Sequence, residues 1–322
     1  MSILVTGITG FIGQELGRKL VEKGYTVFGL IRHCSARTLD PIRDYLDKIH
    51  LIEGDLREYH SIKLAVRKSE PEIILHVGAI TPVRLSFDDP FTCIDVNLRG
   101  TANLVDAALS KVPSLRRLVL ASTMEVYGWT DWQQPFKEDL PLRPASPYAV
   151  SKAAADMYVH MMGRVSDLDY TILRPCNTYG RKRETAFIVE YLVTSMLRRE
   201  DVYVGTPNSV RDFMYVDDHI AAYLEVMEND KASRQTFNVG TGTGISIGSL
   251  SEAVAKLTGY EGNIVNDYPP GYPARPAFAD PPYLVVDPSK IKMKTGWEVA
   301  HKLEDGLSKI IEYWRGHLAK IS

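Results

Sequence analysis

Short apolar runs rich in β-branched residues alternate with amphipathic stretches along the first half of the chain. The runs read ILVTG, TVFGLI, IHLIEGD, EIILHVGA, LRRLVLAST and DYTILRP. The stretches between them, at 11–23, 59–69, 99–111 and 148–165, carry apolar residues at helical spacing. Strands that are apolar throughout and separated by helices form a parallel sheet covered on both faces. The pattern therefore predicts a doubly wound α/β domain over residues 1–176.

The pattern loosens after this domain. Helices are predicted at 185–199, 247–257 and 303–318, with short strands between them. Residues 268–282 read YPPGYPARPAFADPP, which is too rich in proline for a helix or a central strand. We expect this segment to be a loop on the surface or over a cleft. The smaller C-terminal part should cap the carboxyl edge of the sheet, where ligands bind in open α/β proteins.

Composition and charge bound the possible functions. The chain has 322 residues, of which 45% are hydrophobic and 24% charged, as in globular proteins. The net charge of −2 gives no general attraction for nucleic acid or for an anionic membrane, and no apolar run approaches the ~18 residues of a membrane span. The start, MSILVTG, enters a strand without a signal-peptide pattern. Neither nucleic acid nor a membrane is expected as a partner.

Cysteine and histidine usage narrows the picture further. Cys34, Cys93 and Cys176 are far apart and odd in number, which favours a reducing compartment over a disulfide framework. Together with the start of the chain, this predicts a cytoplasmic protein. No histidine pair has metal-binding spacing, and the adjacent residues of DDHI (217–220) do not face one another on a helix. No metal site is predicted.

A glycine-rich turn joins the first strand to the first helix. In ILVTGITGFIGQEL, Gly7, Gly10 and Gly13 allow a tight turn and let a pyrophosphate approach the backbone and the helix N-terminus. A second glycine-rich stretch, GTGTGISIG at 240–248, comes late in the chain. It is interpreted as a turn in which Ser246 or a serine three residues later caps a helix. The first turn predicts dinucleotide binding.

The end of the second strand bears on the choice of cofactor. A carboxylate about 20 residues after the glycines would bind the ribose 2′-hydroxyl of NAD. There is none between Tyr25 and Leu39, and Arg32 lies in that neighbourhood. An arginine can bind the 2′-phosphate of NADP. NADP is therefore favoured, with NAD as the alternative.

Two tyrosine–lysine pairs have the four-residue spacing that places both side chains on one helix face. Tyr59 and Lys63 follow GDL, away from the expected catalytic edge, and are assigned to a solvated helix. Tyr148 and Lys152, in SPYAVSKAAADMY, come after the fifth strand, which ends in Ser-Thr. The second pair is the candidate for catalysis.

These motifs together resemble the extended short-chain dehydrogenase/reductase family, the nucleotide-sugar epimerases and dehydratases. TGITGFIG is similar to its TGxxGxxG signature, SPYAVSK to its YxxxK motif and STMEVYG to its S/T-x-x-VYG strand end. RPCNTYG resembles RPxNxYG, and VRDFMYVDD resembles RDFxxVxD. The match runs in order from residue 3 to about residue 298. VTGITG, EKGYTVFGLIRHCS and VRLSFDDP are most similar to the GDP-mannose and CDP-glucose dehydratase branches.

The resemblance implies a division of the chain and a set of binding residues. It predicts a Rossmann domain over 1–176 and 208–241, and a nucleotide-sugar-binding cap over 177–207 and 242–322. Further patterns on the cofactor side are GDL, HVGA and NLRGT. The implied cofactor-binding residues are Gly7, Gly10, Phe11, Ile12, Gly13, Arg32, Asp55, Leu56, Gly78, Ala79, Asn97, Tyr148 and Lys152. The implied substrate-binding residues are Thr81, Met124, Asn177, Arg211 and Arg275.

Simple electrostatics supports a catalytic role for the second pair. A phenol has a pKa of ~10, so ionising Tyr148 at neutral pH costs roughly 4 kcal/mol. One cation at ~4 Å in an effective dielectric of ~20 offsets about that much. Lys152 and a positive nicotinamide ring can therefore supply a phenolate base, and Thr123 can hydrogen-bond the sugar hydroxyl. The resemblance implies oxidation at sugar C4 to a 4-keto intermediate.

Glu125 and Met124 decide which reaction follows. In the resembling dehydratases a glutamate at this position removes the C5 proton, so Glu125 is interpreted as that base and the chain as a dehydratase. The alternatives are a 4-epimerase, a 4-keto reductase or a decarboxylase and, more remotely, a non-catalytic NADP-binding protein. Met124 departs from the dehydratase patterns because a thioether cannot donate a proton. The nucleotide base and the sugar of the substrate stay open.

A homodimer is also predicted. The stretches 99–111 and 148–165 carry small and apolar residues in excess of one helix face. The residues in question are Ala107, Ala108, Ala153, Ala154, Met157 and Met161. Members of the resembling family pair two such helices from each subunit, which implies a four-helix interface.

Overall fold

The computed structural model describes residues 1–32, 36–111, 114–131, 133–271, 276 and 279–320. Arg275 lies outside the described residues. None of the helices in these ranges is long and apolar enough to cross a membrane.

The strands of the described residues are given in chain order. They are β1 (Ser2–Thr6), β2 (Thr26–Ile31), β3 (His50–Glu53), β4 (Ile73–His76), β5 (Arg117–Ala121), β6 (Tyr170–Pro175), β7 (Asn177–Tyr179), β8 (Val202–Tyr203), β9 (Val210–Tyr215), β10 (Gln235–Val239), β11 (Gly244–Ser246), β12 (Ile264–Val265) and β13 (Tyr283–Leu284).

The helices of the same ranges follow. They are α1 (Phe11–Glu22), α2 (Tyr59–Ser69), α3 (Val83–Asp88), α4 (Pro90–Ile94), α5 (Gly100–Lys111), α6 (Pro147–Val165), α7 (Ile188–Leu197), α8 (Val216–Glu228), α9 (Ile247–Thr258), α10 (Ser289–Thr295) and α11 (Leu303–Leu318). A π-helical turn spans Asp95–Arg99, and 3-10 turns span Ala36–Lys48, Met124–Val126 and Asp230–Ala232.

Seven parallel strands form the central sheet, in the order β10-β6-β5-β4-β1-β2-β3. Side chains alternate between its two faces, so Ile3 and Val5 join one buried cluster and Leu4 joins the other. Both faces are covered by helices, which is why these strands are apolar throughout. The predicted doubly wound α/β fold is confirmed.

A second sheet lies in the C-terminal part. Strand β9 pairs in parallel with β7 and with β13, and antiparallel with β11. Strands β8 and β12 form a separate parallel pair. The predicted Rossmann segment 208–241 thus holds one strand of each sheet, since β9 belongs to the second sheet and β10 to the first.

The periodicity located most helices to within a few residues but missed others. The stretch 148–165 is α6, which begins at Pro147 because Ser146 accepts a hydrogen bond from the Ala149 N–H at 3.1 Å. Helix α9 is capped by Ser246, the first of the two candidate serines. Helix α8 was not predicted, because VRDFMYVDD has the β-branched and aromatic composition of a strand and the helix begins inside it.

Candidate active site

The glycine turn packs directly against the loop that follows β4. Gly7 has a φ of +69°, and a Cβ on it would come within 2.7 Å of Gly78 Cα. A Cβ on Gly13 would lie 2.0 Å from the Gly7 carbonyl oxygen. No side chain among the described residues caps α1, which begins with Phe11 and Ile12. The N–H groups of its first turn can therefore donate hydrogen bonds to the oxygens of a pyrophosphate.

A series of hydrogen-bonded buried side chains holds the loop after β4 in place. The Gly78 N–H donates to Thr6 Oγ1 at 3.0 Å, and Thr6 Oγ1 lies 2.7 Å from His76 Nδ1. His76 Nε2 lies 3.0 Å from Thr101 Oγ1, which donates to the Asn97 carbonyl at 2.6 Å. Burial and, to a smaller extent, the charge of Lys152 lower the pKa of His76 to about 3, so this histidine is neutral. With a neutral His76, every hydrogen bond of this series can donate in the same direction, from the Gly78 N–H to the Asn97 carbonyl.

Asn97 connects the cofactor loop to the catalytic helix. It lies in the π-helical turn, where its amide Oδ1 accepts from the Ile80 N–H at 2.8 Å. Its Nδ2 donates to Ser151 Oγ at 2.9 Å, and Ser151 Oγ donates to the Tyr148 carbonyl at 2.7 Å. The predicted cofactor residue therefore also holds the segment after β4, which contains Gly78 and Ala79, against α6.

Tyr148 and Lys152 lie in the first two turns of α6, and both are buried. Burial raises the pKa of Tyr148 above its usual range, a hydrogen bond to Thr123 opposes this, and the Glu125 charge adds to it. Burial lowers the pKa of Lys152 to about 8, opposed by the charge of Asp156. The phenol is therefore protonated in the free protein, and it needs a further positive charge nearby to become a base.

Glu125 and Met124 lie on the 3-10 turn that follows β5. The Thr123 side chain caps this turn by accepting from the Glu125 N–H at 3.2 Å. Glu125 is half-buried, and its charge acts on Tyr148, so the two groups lie near each other. Met124 is 1% exposed and packs within the main hydrophobic cluster. Contact of Met124 with a substrate stays a prediction.

The adenosine end of the predicted cofactor site follows β2 and β3. Arg32 is exposed directly after β2. Asp55 follows β3 and accepts from Arg57 Nη2 at 2.7 Å, and this pair lowers the pKa of Asp55, with a smaller contribution from Arg32. Leu56 is buried, and its carbonyl accepts from Asn103 Nδ2 at 2.8 Å. The structure thus brings Arg32 and Asp55 to neighbouring strand ends.

The predicted substrate residues lie after β4, in β7 and in β9. Thr81 is exposed in the loop before α3, and Asn177 is half-buried at the start of β7. Arg211, in β9, is 7% exposed and donates from Nη2 to Asp280 Oδ1 at 2.5 Å. Asp280 also accepts from Thr206 Oγ1 at 2.9 Å. The guanidinium of Arg211, which is predicted to bind the substrate, is therefore already paired with a carboxylate.

Two residues near the site were not singled out from the sequence. Asp280 lies in the proline-rich segment, 69 residues from Arg211 in sequence, and no spacing rule links them. Arg181 follows β7 and lowers the pKa of Tyr148 through its charge. The run RKR at 181–183 was the only signal for it, and such runs are usually solvated.

Comparisons with known proteins bear on what this geometry does. The family model described as GDP-mannose 4,6 dehydratase matches residues 4–310. A UDP-glucose 4-epimerase of Mycolicibacterium smegmatis is 31% identical over 98% of this chain and 99% of its own. A dTDP-D-glucose 4,6-dehydratase of Bos taurus is 30% identical over 97% of this chain and 88% of its own.

A solved structure agrees with these sequence matches. The dTDP-glucose 4,6-dehydratase DesIV of Streptomyces venezuelae, solved with NAD and TYD bound, superposes with a TM-score of 0.86 at 26% identity, over 99% of this chain and 98% of its own. The sequence relatives span both epimerases and dehydratases, and each match covers nearly the whole chain. The chain belongs to the extended short-chain dehydrogenase/reductase family of NAD-dependent nucleotide-sugar epimerases and dehydratases.

Proposed function

We propose that this protein is a nucleotide-sugar dehydratase that works through a 4-keto intermediate. The observation that carries the proposal is the position of Glu125, a carboxylate on the turn capped by Thr123 whose charge acts on Tyr148. Besides a bound dinucleotide as the oxidant, a C4 oxidation needs only the tyrosine and its neighbours. A carboxylate near the tyrosine adds a base for the proton next to the new ketone.

The described residues fit a nicotinamide dinucleotide, because the glycine turn and the uncapped start of α1 leave backbone N–H groups for its phosphates. When bound, that group supplies reversible two-electron oxidation of the sugar. Tyr148 takes the proton of the C4 hydroxyl as the ketone forms. Glu125 then removes the C5 proton and the C6 hydroxyl leaves with a proton as water, which leaves a double bond between C5 and C6. C6 regains, as a hydride, the two electrons that C4 lost, and C5 takes up a proton that has exchanged with solvent.

The cofactor-site geometry favours NADP through Arg32, with NAD as the alternative. The S. venezuelae dehydratase was solved with NAD bound, which supports the alternative. A 4-epimerase is the second candidate function, and the M. smegmatis relative favours it. Incubation with UDP-, GDP-, CDP- and dTDP-hexoses, followed by mass spectrometry, tests the proposal. Loss of one water supports the dehydratase, and a product of unchanged mass with inverted C4 supports the epimerase.

Arg32→Asp should weaken NADP binding far more than NAD binding. The expected loss for NADP is about 1.5–3 kcal/mol, the contribution of a hydrogen bond to a charged group. Titration of the cofactor-free protein with each dinucleotide measures it. Arg67→Asp makes the same charge change on the exposed face of α2 and should leave both affinities alone. Equal losses for NADP and NAD would show that Arg32 does not bind a 2′-phosphate.

We also propose a homodimer through α6. Ala107, Ala108 and Ala153 are buried in the core, so these three do not form the predicted surface. Exposed apolar residues lie at spacings of four and seven on α6 and at a spacing of three on the neighbouring α4. They are Phe91, Ile94, Val150, Met157, Met161 and Val165. Phe91 is 80% exposed and Val165 is 68% exposed. Several exposed apolar side chains on adjacent helices mark a surface that binds another protein.

Met157→Glu with Met161→Glu should convert the dimer to a monomer. Two carboxylates facing their symmetry mates repel and lose hydration at a two-fold interface. Light scattering at micromolar concentration gives the mass. The control Met293→Glu changes a methionine on α10 that is even more exposed, and it should leave the dimer intact. A wild type that is monomeric under these conditions would contradict the proposal.

A further inference from the structure

The guanidinium of Arg181 lies between the rest of the predicted cap and the helix that follows the glycine turn. Its guanidinium carbon is 3.6 Å from the centre of the Phe187 ring and 4.3 Å from the centre of the Phe11 ring. Phe187 precedes α7, whereas Phe11 is the first residue of α1, whose N–H groups face the predicted pyrophosphate. The cation therefore bridges an element of the cap and the first turn of the cofactor-binding helix.

The cap holds the backbone of Arg181 tightly. Gly180 and Arg181 both donate their N–H groups to Glu190 Oε1, at 2.8 Å and 2.9 Å. The Arg181 carbonyl accepts from Trp314 Nε1 at 3.1 Å. Glu190 is on α7 and fully buried, and Trp314 is on α11. The backbone of Arg181 is thus fixed to α7 and α11, while its side chain contacts Phe11 of α1.

The charge of Arg181 is only partly matched. Its Nη1 donates to the Thr178 carbonyl at 2.5 Å. Two carboxylates lie near the guanidinium, Glu190 Oε2 at 3.7 Å from Nη1 and Glu184 Oε2 at 3.9 Å from Nε, and both distances are longer than a hydrogen bond. Arg181 Nε and Glu190 Oε2 are buried without a hydrogen-bond partner among the described residues. A buried donor without a partner is costly unless a ligand supplies the acceptor.

The next two residues continue the contact with the cofactor domain. Lys182 Nζ lies 4.0 Å from Glu15 Oε1 on α1. Arg183 Nη2 donates to the Asp40 carbonyl at 3.0 Å, in the 3-10 turn after β2. Three consecutive cations of the cap therefore touch the cofactor domain on one side of α1. Arg181 is half-buried, whereas Lys182 and Arg183 are exposed.

We propose that Arg181 is a positioning residue that retains the dinucleotide. The cap holds it against Phe11, where it fixes the first turn of α1 and adds positive charge beside the dinucleotide phosphates. This inference rests on the nicotinamide binding of the proposed function but not on the identity of the sugar reaction. An enzyme that uses and regenerates its cofactor within one cycle gains from slow release, since loss of the reduced form would strand the oxidised sugar.

The test is the rate at which the protein releases its cofactor without sugar. Protein loaded with NADPH, and with NADH in parallel, is mixed with excess oxidised dinucleotide, and the loss of bound fluorescence is followed. Arg181→Gln/Glu190→Gln removes the cation without leaving a lone buried carboxylate. We expect release about tenfold faster, as for the loss of ~1.4 kcal/mol. Arg183→Gln removes a charge from the same segment and should change the rate less than about twofold.

A release rate within about twofold of the wild type in the folded double variant would overturn the inference, as would an equal effect of Arg183→Gln. The unfolding midpoint without cofactor shows whether the double variant folds. If it does not, Phe187→Leu replaces it, since this change keeps both charges and removes one ring from the cation. This variant should release its cofactor about threefold faster, because it loses a fraction of the energy of one cation–π contact. An unchanged release rate would again overturn the inference. A wild type that binds cofactor but transforms no hexose would refute the proposed reaction alone.

Discussion

Replacing Tyr148 by phenylalanine should lower turnover by about 10²–10⁴-fold, the usual contribution of a general acid–base group. The phenylalanine ring fills the same buried space, so the fold should survive, but no group remains to take the proton of the C4 hydroxyl. The defect should appear in the first step. When the loaded enzyme is mixed with its sugar, the absorbance of reduced nicotinamide should rise more slowly than in the wild type by the same factor.

Tyr59→Phe is the matched control for this variant. Tyr59 belongs to the other tyrosine–lysine pair, is 37% exposed on α2 and donates to Asp106 Oδ2 at 2.5 Å. Its loss should leave turnover unchanged. Reduction of the cofactor at the wild-type rate by the Tyr148 variant would mean that another group is the base.

The pH dependence of this first step gives a second readout. Burial raises the pKa of Tyr148, so the phenolate forms only as the pH rises. Burial lowers the pKa of Lys152 to about 8, so the lysine loses its charge as the pH rises through that value. The wild-type rate should therefore increase from the acidic side and stop increasing above about pH 8. The residual rate of the Tyr148 variant should lack this increase.

The central sheet could be predicted from the sequence because its signals are local. Each strand is a short apolar run, and the glycines between β1 and α1 must allow a backbone approach that the Gly7–Gly78 contact realises. The same holds for Tyr148 and Lys152, whose spacing brings both onto one face of a helix. These features depend on the spacing of residues along a strand or helix and on the small size of glycine, and both can be identified in the sequence.

Residues that matter through tertiary contact could not be predicted in this way. Asp280 meets Arg211 across 69 positions, and Arg181 lies between two rings that are 176 positions apart in the chain. Ala107 and Ala108 were expected at a dimer surface, yet α5 packs against α2 and buries them. Small residues serve a core and an interface equally well, so composition alone does not separate the two.

Glu125→Gln should lower product formation by about 10²–10⁴-fold while leaving the first oxidation intact. Glutamine has nearly the same shape, and its backbone N–H can still donate to Thr123 Oγ1, but its side chain cannot take a proton. The variant should therefore still reduce its cofactor with the correct sugar and then stall at the 4-keto stage. Asp131→Asn, an exposed carboxylate in the loop that follows, should behave like the wild type.

Exchange at C5 separates the two candidate reactions. If Glu125 removes the C5 proton, the wild type in deuterated water should incorporate deuterium there, and Glu125→Gln should not. Met124 makes the next step informative, because it is buried in the core and a thioether donates no proton. The C6 oxygen must then leave with the proton that Glu125 has captured or with one from water. A wild-type product with no deuterium at C5 and an inverted C4 would mean that Glu125 is not a base, and the protein would then be a 4-epimerase.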